Sequence, residues 1–279
     1  MLGQSKRDCM RIYDMKNREI RRFGHFGPMV DTGMIVQSSL PYDVFDTRRL
    51  PGVAPVADGP WFHVDEAYAA QMAHRVQLIA TQPDAVIATD APTSTALDEM
   101  LDEILGHLPR GFQRREQSVV CPDGREVPLR RDRPFETLGH ILQEDICLLE
   151  KRGAEHVLTG AVLCFPASWR LAEKIGQPLT HIHTPVSEYD ATLARRVQRL
   201  FDGVRAGHPL WRFNALWYDD AELHQPRSAS APRERTDQSQ APFLRSERQV
   251  IWRLPESGGV LFTIHTYVVP REQVVLAHA

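Results

Sequence analysis

The chain has 279 residues, 42% of them hydrophobic and 25% charged, which is the composition of an ordinary globular protein. Its formal net charge of −3 argues against nucleic acid or an anionic membrane as the main partner. No apolar run reaches the roughly 18–20 residues that a membrane span needs, and the charged N-terminal segment has no signal-peptide pattern. We therefore expect a cytoplasmic protein.

The cysteines exclude one class of metal site. Cys9, Cys121, Cys147 and Cys164 lie far apart, and no two of them form a CxxC pair. This spacing predicts isolated reduced thiols instead of a closed zinc site or an iron–sulfur cluster.

The first half of the chain has helical patterns after an irregular start. Turn-forming stretches such as "GHFGP" and "RRLPGVAPVADGP" predict a loosely structured lead-in over residues 1–59, followed by one main domain over residues 60–279. Apolar stripes predict a helix in "FHVDEAYAAQMAHRVQLIATQ" and another in "PTSTALDEMLDEILGHL", the second capped near Thr93 and Ser94. We expect a third helix over "FETLGHILQEDICLLEKR".

The second half has mostly strand-like patterns. "EHVLTGAVLCFP" and "LWRFNALWY" predict strands, whereas "LAEKIGQPL" predicts a short helix or turn and "DATLARRVQRLFDGVRAG" an amphipathic helix. The polar stretch at 226–242 predicts a flexible insert. "LRSERQVIWRLP" and "VLFTIHTYVVP" around "ESGG" predict a β-hairpin. Helices gather in the first half and strands in the second, and the two do not alternate as βαβ units. This order favours an α+β fold built on an antiparallel sheet.

Two histidines are candidate metal ligands. His181 and His183 alternate with other residues in "LTHIHTPV", so on an extended segment both would point to the same side. They could bind a metal or haem iron, act as a general base, or only make a structural hydrogen bond. A non-haem iron site would need a carboxylate as well, which Glu188 or Asp190 could supply. The spacing does not choose between these possibilities.

Charged residues in the last strands form a second candidate site. Strand alternation places Arg212 and Asn214 on the same face of one strand. In the later strand it places Arg245 and Glu247 on one face and Arg248 on the other face. Buried unpaired charges are costly, so these residues either face water or meet around a polar ligand. Three nearby tryptophans favour a partly enclosed pocket: Trp211, Trp217 and Trp252.

Several segments carry a family resemblance. "LQEDICLLEK", "LCFPASW", "EKIGQPLTHIHTPV", "WRFN" and "LRSERQVIWRLPESGGVLFTIHTY" occur in the order found in haem-dependent oxidative N-demethylase alpha subunits. The resemblance covers roughly residues 60–270. It implies a PAS-like antiparallel sheet with flanking helices and a helical N-terminal region. It also implies binding of haem b and a monooxygenase-type oxidative demethylation of a secondary amine such as dimethylamine, with O₂ as oxidant and formaldehyde as product.

The resemblance also implies partners and residue roles. Electrons would come from NADPH through reductase subunits carrying FMN and a [2Fe–2S] cluster, and tetrahydrofolate can accept the formaldehyde. His183 would be the axial iron ligand, with His181 as the alternative. Of the polar residues, Arg212, Glu247 and Arg248 would act on the distal side, while Arg245 and Asn214 would contact the cofactor.

The chain departs from the family pattern near the presumed pocket. Ala215 follows Asn214 where the pattern has tryptophan, His265 stands where the pattern has arginine, and "PVSEYD" replaces a different turn. These changes bear on the identity of the amine. An alternative function on the same fold is a PAS-like haem protein that senses or carries a gas or small amine without turnover. A third is a non-haem metal or purely structural protein.

Overall fold

The computed structural model describes residues 33–45, 52–57, 59–90, 95–182, 191–228, 230–231 and 236–277. Within these ranges no helix combines the length and the apolar character that crossing a bilayer requires. The capping residues expected at Thr93 and Ser94 lie outside the described residues, as do Glu188 and Asp190.

Most of the strands belong to one antiparallel sheet. The main sheet has seven strands in the order β1-β8-β9-β10-β6-β7-β2, and all of its strand pairs are antiparallel. A smaller sheet has the order β3-β4-β5. The strands are β1 Ala54–Pro55, β2 Ile87–Thr89, β3 Gln113–Arg114, β4 Ser118–Val120, β5 Glu126–Pro128, β6 Asp145–Arg152, β7 Glu155–Val162, β8 Leu210–Tyr218, β9 Phe243–Arg253 and β10 Val260–Pro270.

The helices cover the sheet and fill the connections. They are α1 Tyr68–Thr81, α2 Pro83–Val86, α3 Thr95–Gly106, α4 Pro134–Ile141, α5 Leu179–Ile182, α6 Ala191–Gly203 and α7 Arg271–Ala277, with a 3-10 turn at Leu171–Glu173. The predicted stripes on α1 and α3 are confirmed, since residues such as Met72, Met100 and Ile104 are fully buried. The predicted α+β class is therefore confirmed.

The C-terminal hairpin forms as predicted. Strands β9 and β10 pair over their full length, from Phe243 opposite Pro270 to Arg253 opposite Val260. The amide of Leu254 donates to the Gly259 carbonyl at 2.8 Å, and Gly258 takes a φ of +72°, which a glycine adopts without strain. Strand β8 pairs with β9 in the same sheet, as the alternation in "LWRFNALWY" predicts.

The two faces of the sheet meet different helices. On the side that we call the front face, Ile251 and Ile264 pack with Leu179 of α5 and Phe201 of α6. On the opposite side, the back face, Trp252 and Leu261 join the larger core that contains α1, α3 and α4. Because side chains alternate along a strand, each residue of β8, β9 and β10 belongs to one face.

The third predicted helix is only half correct. Helix α4 begins at Pro134 and ends at Ile141, and the following "DICLLEKR" forms strand β6. This strand lies between β10 and β7, so its apolar residues are buried on both faces. A strand buried on both faces has a continuous apolar run, which periodicity alone does not distinguish from a buried helix.

The lead-in and the insert also have described parts. Within the lead-in, Gln37 is buried and exchanges hydrogen bonds with the backbone of Val268 at 2.8 Å, so residues near it lie against β10. In the described part of 226–242 no helix or strand is present.

Candidate functional site

A polar cluster lies on the front face, centred on Glu247. Asn214 lies opposite Glu247 in the β8–β9 register, and Gln249 is two residues further along β9. The side-chain amides of Asn214 and Gln249 both donate to Oε2 of Glu247, each at 3.0 Å. The amide of Glu247 in turn donates to Oδ1 of Asn214 at 3.2 Å. These bonds fix the orientation of a carboxylate that is only 7% exposed.

Arg245 borders this cluster but is held mainly by backbone carbonyls. Its guanidinium donates to the carbonyls of Phe165 at 2.7 Å and Leu223 at 3.0 Å. Its Nε lies 3.9 Å from Oε1 of Glu247 and has no hydrogen-bond partner among the described residues. Arg245 therefore ties two connecting loops to β9 and adds a positive charge beside Glu247.

Arg212 lies on the same face, opposite Gln249. Its Nε is buried and has no hydrogen-bond partner in the described part of the chain. Burial lowers the pKa of Arg212, and the nearby charge of Glu247 partly offsets this effect. The front face thus brings together Arg212, Asn214, Arg245 and Glu247.

Arg248 lies on the other face, as the strand alternation predicts. It pairs with His265 of β10 and Phe213 of β8, and it donates to the carbonyl of Trp61 at 3.0 Å. Trp211 lies under its guanidinium, with 5.8 Å to the ring centroid. Arg248 thus anchors the segment before α1 on the back face, and the structure does not bring it together with Glu247.

The three tryptophans also face the back, so they do not enclose the cluster around Glu247. Trp252 is fully buried in the core. Trp211 lies against the ring of Tyr42, and Trp217 packs with Leu244 and Val269. A solvated sheet face is excluded for Arg245, Glu247 and Arg248, since each is at most 7% exposed.

The two candidate histidine ligands have different outcomes. His181 lies in α5, a short helical turn, so the expectation of an extended segment is wrong up to Ile182. The main reason is the tie to β7, because Pro178 bridges to Val157 and the following residues bond back to the Pro178 carbonyl. The side chain of His181 is exposed. His183 lies outside the described residues, between α5 and α6, both of which pack on the front face.

The back face contains a buried ionic cluster that sequence reasoning missed. His265, with no exposed surface, has Nδ1 3.1 Å from Oε1 of Glu144 and Nε2 3.0 Å from Oδ2 of Asp65. Burial opposes a charge on His265, but the two carboxylates outweigh it and raise the pKa to about 9. A protonated imidazole can donate to both carboxylates, and the hydrogen bonds with it help to lower the pKa values of Asp65 and Glu144 against the effect of burial.

A second histidine beside this cluster behaves in the opposite way. His63 bonds through Nδ1 to the Tyr267 hydroxyl at 2.7 Å. Burial, together with the positive charges of Arg248 and His265, lowers its pKa to about 4. His63 is therefore neutral near pH 7, whereas His265 is charged.

The sequence contained partial signals for these missed residues. Gln249 follows Glu247 at the two-residue spacing that places side chains on one face of a strand. His265 was noted only as a departure near the presumed pocket, whereas the structure places it on the back face between two carboxylates. Asp65 and Glu144 gave no signal, because their contacts with His265 span 200 and 121 positions of the chain.

Three further features of the described residues bear on the predicted site: cavities, metal-binding clusters and cysteines. A cavity of about 710 Å³ lies between residues 59–64 and 107–110, and it contains none of the predicted site residues. In the ranges that the structure describes, no group of three or more histidine, cysteine or acidic side chains could hold a metal ion. The three described cysteines, Cys121, Cys147 and Cys164, are buried and free, as predicted.

A known family matches the chain over most of its length. The family model described as "haem-dependent oxidative N-demethylase, alpha subunit-like" matches residues 52–278. The match covers most of the chain, including the whole main sheet and the helices α1 to α7. The chain therefore belongs to the haem-dependent oxidative N-demethylase alpha subunit-like family.

Proposed function

We propose that the protein is a haem-dependent monooxygenase-type N-demethylase that acts on a secondary methylamine, with dimethylamine as the simplest member. The observation that carries the proposal is the Glu247 carboxylate, which is buried and oriented by two amides on the front face. A carboxylate in this state is a suitable partner for a protonated amine. The family match supplies the haem dependence and the demethylation.

The residues of the front face fit a haem group. A haem needs apolar surfaces for its ring, cations for its propionates and an axial ligand. Residues of α5, α6, β9 and β10 supply apolar surface, and the Nε of buried Arg245 still lacks a hydrogen-bond acceptor among the described residues. We propose His183 as the axial ligand, because it lies in the connection between two helices of this face. His181 remains the alternative, and its exposure disfavours it.

The PAS-like character of the domain is part of the same proposal. The five strands β6 to β10 form the centre of one antiparallel sheet, and α5 and α6 connect β7 to β8 across the front face. This arrangement, a sheet with helices on one side, is what a PAS-like domain would require.

The protein's own residues would bind and orient the amine. The ammonium group donates to Glu247, while Asn214 and Gln249 keep the carboxylate oriented and satisfy one of its oxygens. The bound haem supplies activation of O₂.

The overall reaction balances with two electrons from outside the chain. A secondary methylamine, O₂, two electrons and two protons give the demethylated amine, formaldehyde and water. We propose that the electrons come from NADPH through partner subunits with FMN and a [2Fe–2S] cluster, and that tetrahydrofolate can accept the formaldehyde. The described cysteines are isolated from one another, which agrees with a cluster on another subunit.

The carboxylate substitution Glu247→Gln tests the proposed function. It keeps the shape of the side chain but removes its charge, so the affinity for dimethylamine should fall by about tenfold or more. Calorimetric titration of the haem-loaded protein measures the affinity, and NADPH-driven formaldehyde release with a flavin and iron–sulfur reductase measures turnover. Glu126→Gln, at an exposed carboxylate of the small sheet, is the matched control.

Two outcomes would contradict the proposal. Equal amine affinity in wild type and Glu247→Gln would show that the carboxylate does not bind the amine. An amine-induced change without formaldehyde release under reducing conditions would favour a sensor or carrier.

A further inference from the structure

Arg212 is half-buried, and it differs from four other buried or half-buried arginines of the described residues. Arg75, Arg245, Arg248 and Arg253 all donate hydrogen bonds to carboxylates or backbone carbonyls. Arg212 makes no such bond to a described residue, and its Nε is buried. A buried guanidinium nitrogen without an acceptor is unfavourable by about 1–3 kcal/mol in general, and a ligand that accepts a hydrogen bond from Arg212 would remove this cost.

The position of Arg212 relative to Glu247 narrows the chemistry of that acceptor. Asn214 lies opposite Glu247, and Arg212 precedes Asn214 by two residues on the same face. Arg212 and Glu247 are therefore diagonal neighbours across two strands, with Cβ atoms roughly 7–8 Å apart by general sheet geometry. They do not form an ion pair with each other, although their charges interact. A small ligand with opposite charges on adjacent groups could contact both.

We propose that the substrate is a secondary methylamine that also carries a carboxylate close to the methylated nitrogen, as in an N-methyl amino acid. The ammonium binds Glu247 and the carboxylate binds Arg212. This inference rests on the proposed function for the demethylation, but the binding of the ligand can be tested without it.

The charges of the front face favour this class over a simple amine. Arg212 and Arg245 carry two positive charges beside the single negative charge of Glu247. A plain ammonium ligand would add a third positive charge and leave Arg212 without an acceptor. A zwitterion adds no net charge and gives each of the two side chains an opposite partner, with the planar guanidinium suited to a bidentate carboxylate contact.

A haem propionate is the other carboxylate that could reach Arg212, and the experiment separates the two. N-methylglycine and dimethylamine are titrated calorimetrically into wild type, Arg212→Met and Arg212→Lys. We expect Arg212→Met to weaken N-methylglycine binding at least tenfold and to shift the affinity ratio of the two ligands at least tenfold towards dimethylamine. Arg212→Lys keeps the positive charge but loses the planar two-pronged guanidinium. Its affinity for N-methylglycine should therefore lie between those of wild type and Arg212→Met. The matched control is Arg152→Met, at an exposed arginine paired with Asp90.

Each outcome has a definite meaning. Equal loss of both ligands, or loss of haem affinity with an unchanged preference between the ligands, would overturn the inference in favour of a propionate contact. Dimethylamine binding without N-methylglycine binding would also overturn it. Formaldehyde release from dimethylamine but not from N-methylglycine leaves the proposed function intact and removes the inference. Arg212-dependent N-methylglycine binding without haem or turnover supports the inference and removes the proposed function.

Discussion

At the scale of single residues, the two faces of one hairpin carry charges with different tasks. Glu247 on the front face has two amide donors on one oxygen and a 3.9 Å contact to Arg245 on the other. His265 on the back face has both nitrogens engaged by carboxylates. The first arrangement leaves Oε1 of Glu247 without a hydrogen bond from a described residue, and the second holds the segment before α1 on the sheet.

The protonated His265 predicts a dependence of stability on pH. Its folded pKa of about 9 lies above the unfolded value of 6.5, so its contribution is complete below pH 6.5 and is lost as the pH rises through 9. The lowered pKa values of Asp65 and Glu144 add stability that is lost as the pH falls below their unfolded values of 3.8 and 4.5. The neutral His63 adds stability that is lost as the pH falls from its unfolded pKa of 6.5 towards 4. We therefore expect the free energy of unfolding to be greatest near pH 6.5 and to fall by an amount on the order of 3 kcal/mol towards pH 9.5.

Urea unfolding between pH 5 and pH 10 measures this dependence. His265→Gln should lose most of the alkaline slope, whereas His208→Gln, at an exposed histidine, should keep it. An unchanged slope in His265→Gln would show that another group titrates.

At the scale of elements, a buried ion pair joins α1 to the sheet. Arg75 of α1 donates to Asp145 of β6 at 2.6 Å, and Asp145 also accepts from the amides of Cys164 and Phe165. Both side chains are almost completely buried. This pair positions the loop whose Phe165 carbonyl accepts from Arg245, so it supports the front face from behind.

The substitution Arg75→Met should therefore be strongly destabilising. It leaves the Asp145 carboxylate buried without its cation, which costs about 3–5 kcal/mol. Chemical denaturation measures the loss, and Arg131→Met, in an exposed pair with Asp102, should cost less than about 1 kcal/mol. Similar losses in both variants would contradict the structural role of the buried pair.

The contact between α4 and β7 depends on the absence of a side chain at Gly160. A Cβ atom there would lie 2.4 Å from Cε2 of Phe135, in the fully packed core of the back face. Gly160→Ala should destabilise the protein by about 1–3 kcal/mol through overpacking. The comparison is Gly203→Ala at the end of α6, where a Cβ atom meets nothing within 4 Å and the effect on the thermal midpoint should be small. A neutral Gly160→Ala would show that α4 lies further from the sheet.

The elements that the sequence predicts correctly are those with a clear periodicity or a clear turn. Helices α1, α3 and α6 have an apolar stripe on one face, so their patterns have the helical period. The hairpin of β9 and β10 is buried on both faces, and the turn residues of "ESGG" between two strand-like runs predict it. Strand β6 was missed because both of its faces are buried. The small sheet β3-β4-β5 was missed because its strands have only two or three residues.

The sequence also predicts the candidate site only in part. Alternation along β8 and β9 correctly places Arg212 with Asn214, and Glu247 with Arg245, and it separates Arg248 from them. It does not give the register between the strands, which brings Asn214 opposite Glu247 and makes Arg212 its diagonal neighbour. Nor does it show that Arg245 and Arg248 are occupied by backbone carbonyls, since these contacts depend on loops distant in the sequence.

At the scale of the whole molecule, the two faces of the sheet differ: the back face has a structural role, and the front face carries the candidate site. The back face holds the larger core, the ionic cluster and the N-terminal segment. The front face holds Glu247 and two arginines, Arg212 and Arg245, whose Nε atoms lack a hydrogen-bond acceptor among the described residues. The chain belongs to the haem-dependent oxidative N-demethylase alpha subunit-like family, and we propose the front face as the place where a haem and an amine meet.

The most direct test is a titration of the purified protein with haem, followed by its absorption spectrum. The account predicts a Soret band that saturates at one haem per chain, is largely lost in His183→Ala and is retained in His181→Ala. A protein that stays colourless with excess haem while its circular dichroism shows a folded domain would contradict the account. A Soret band unchanged in His183→Ala would contradict the proposed iron ligand.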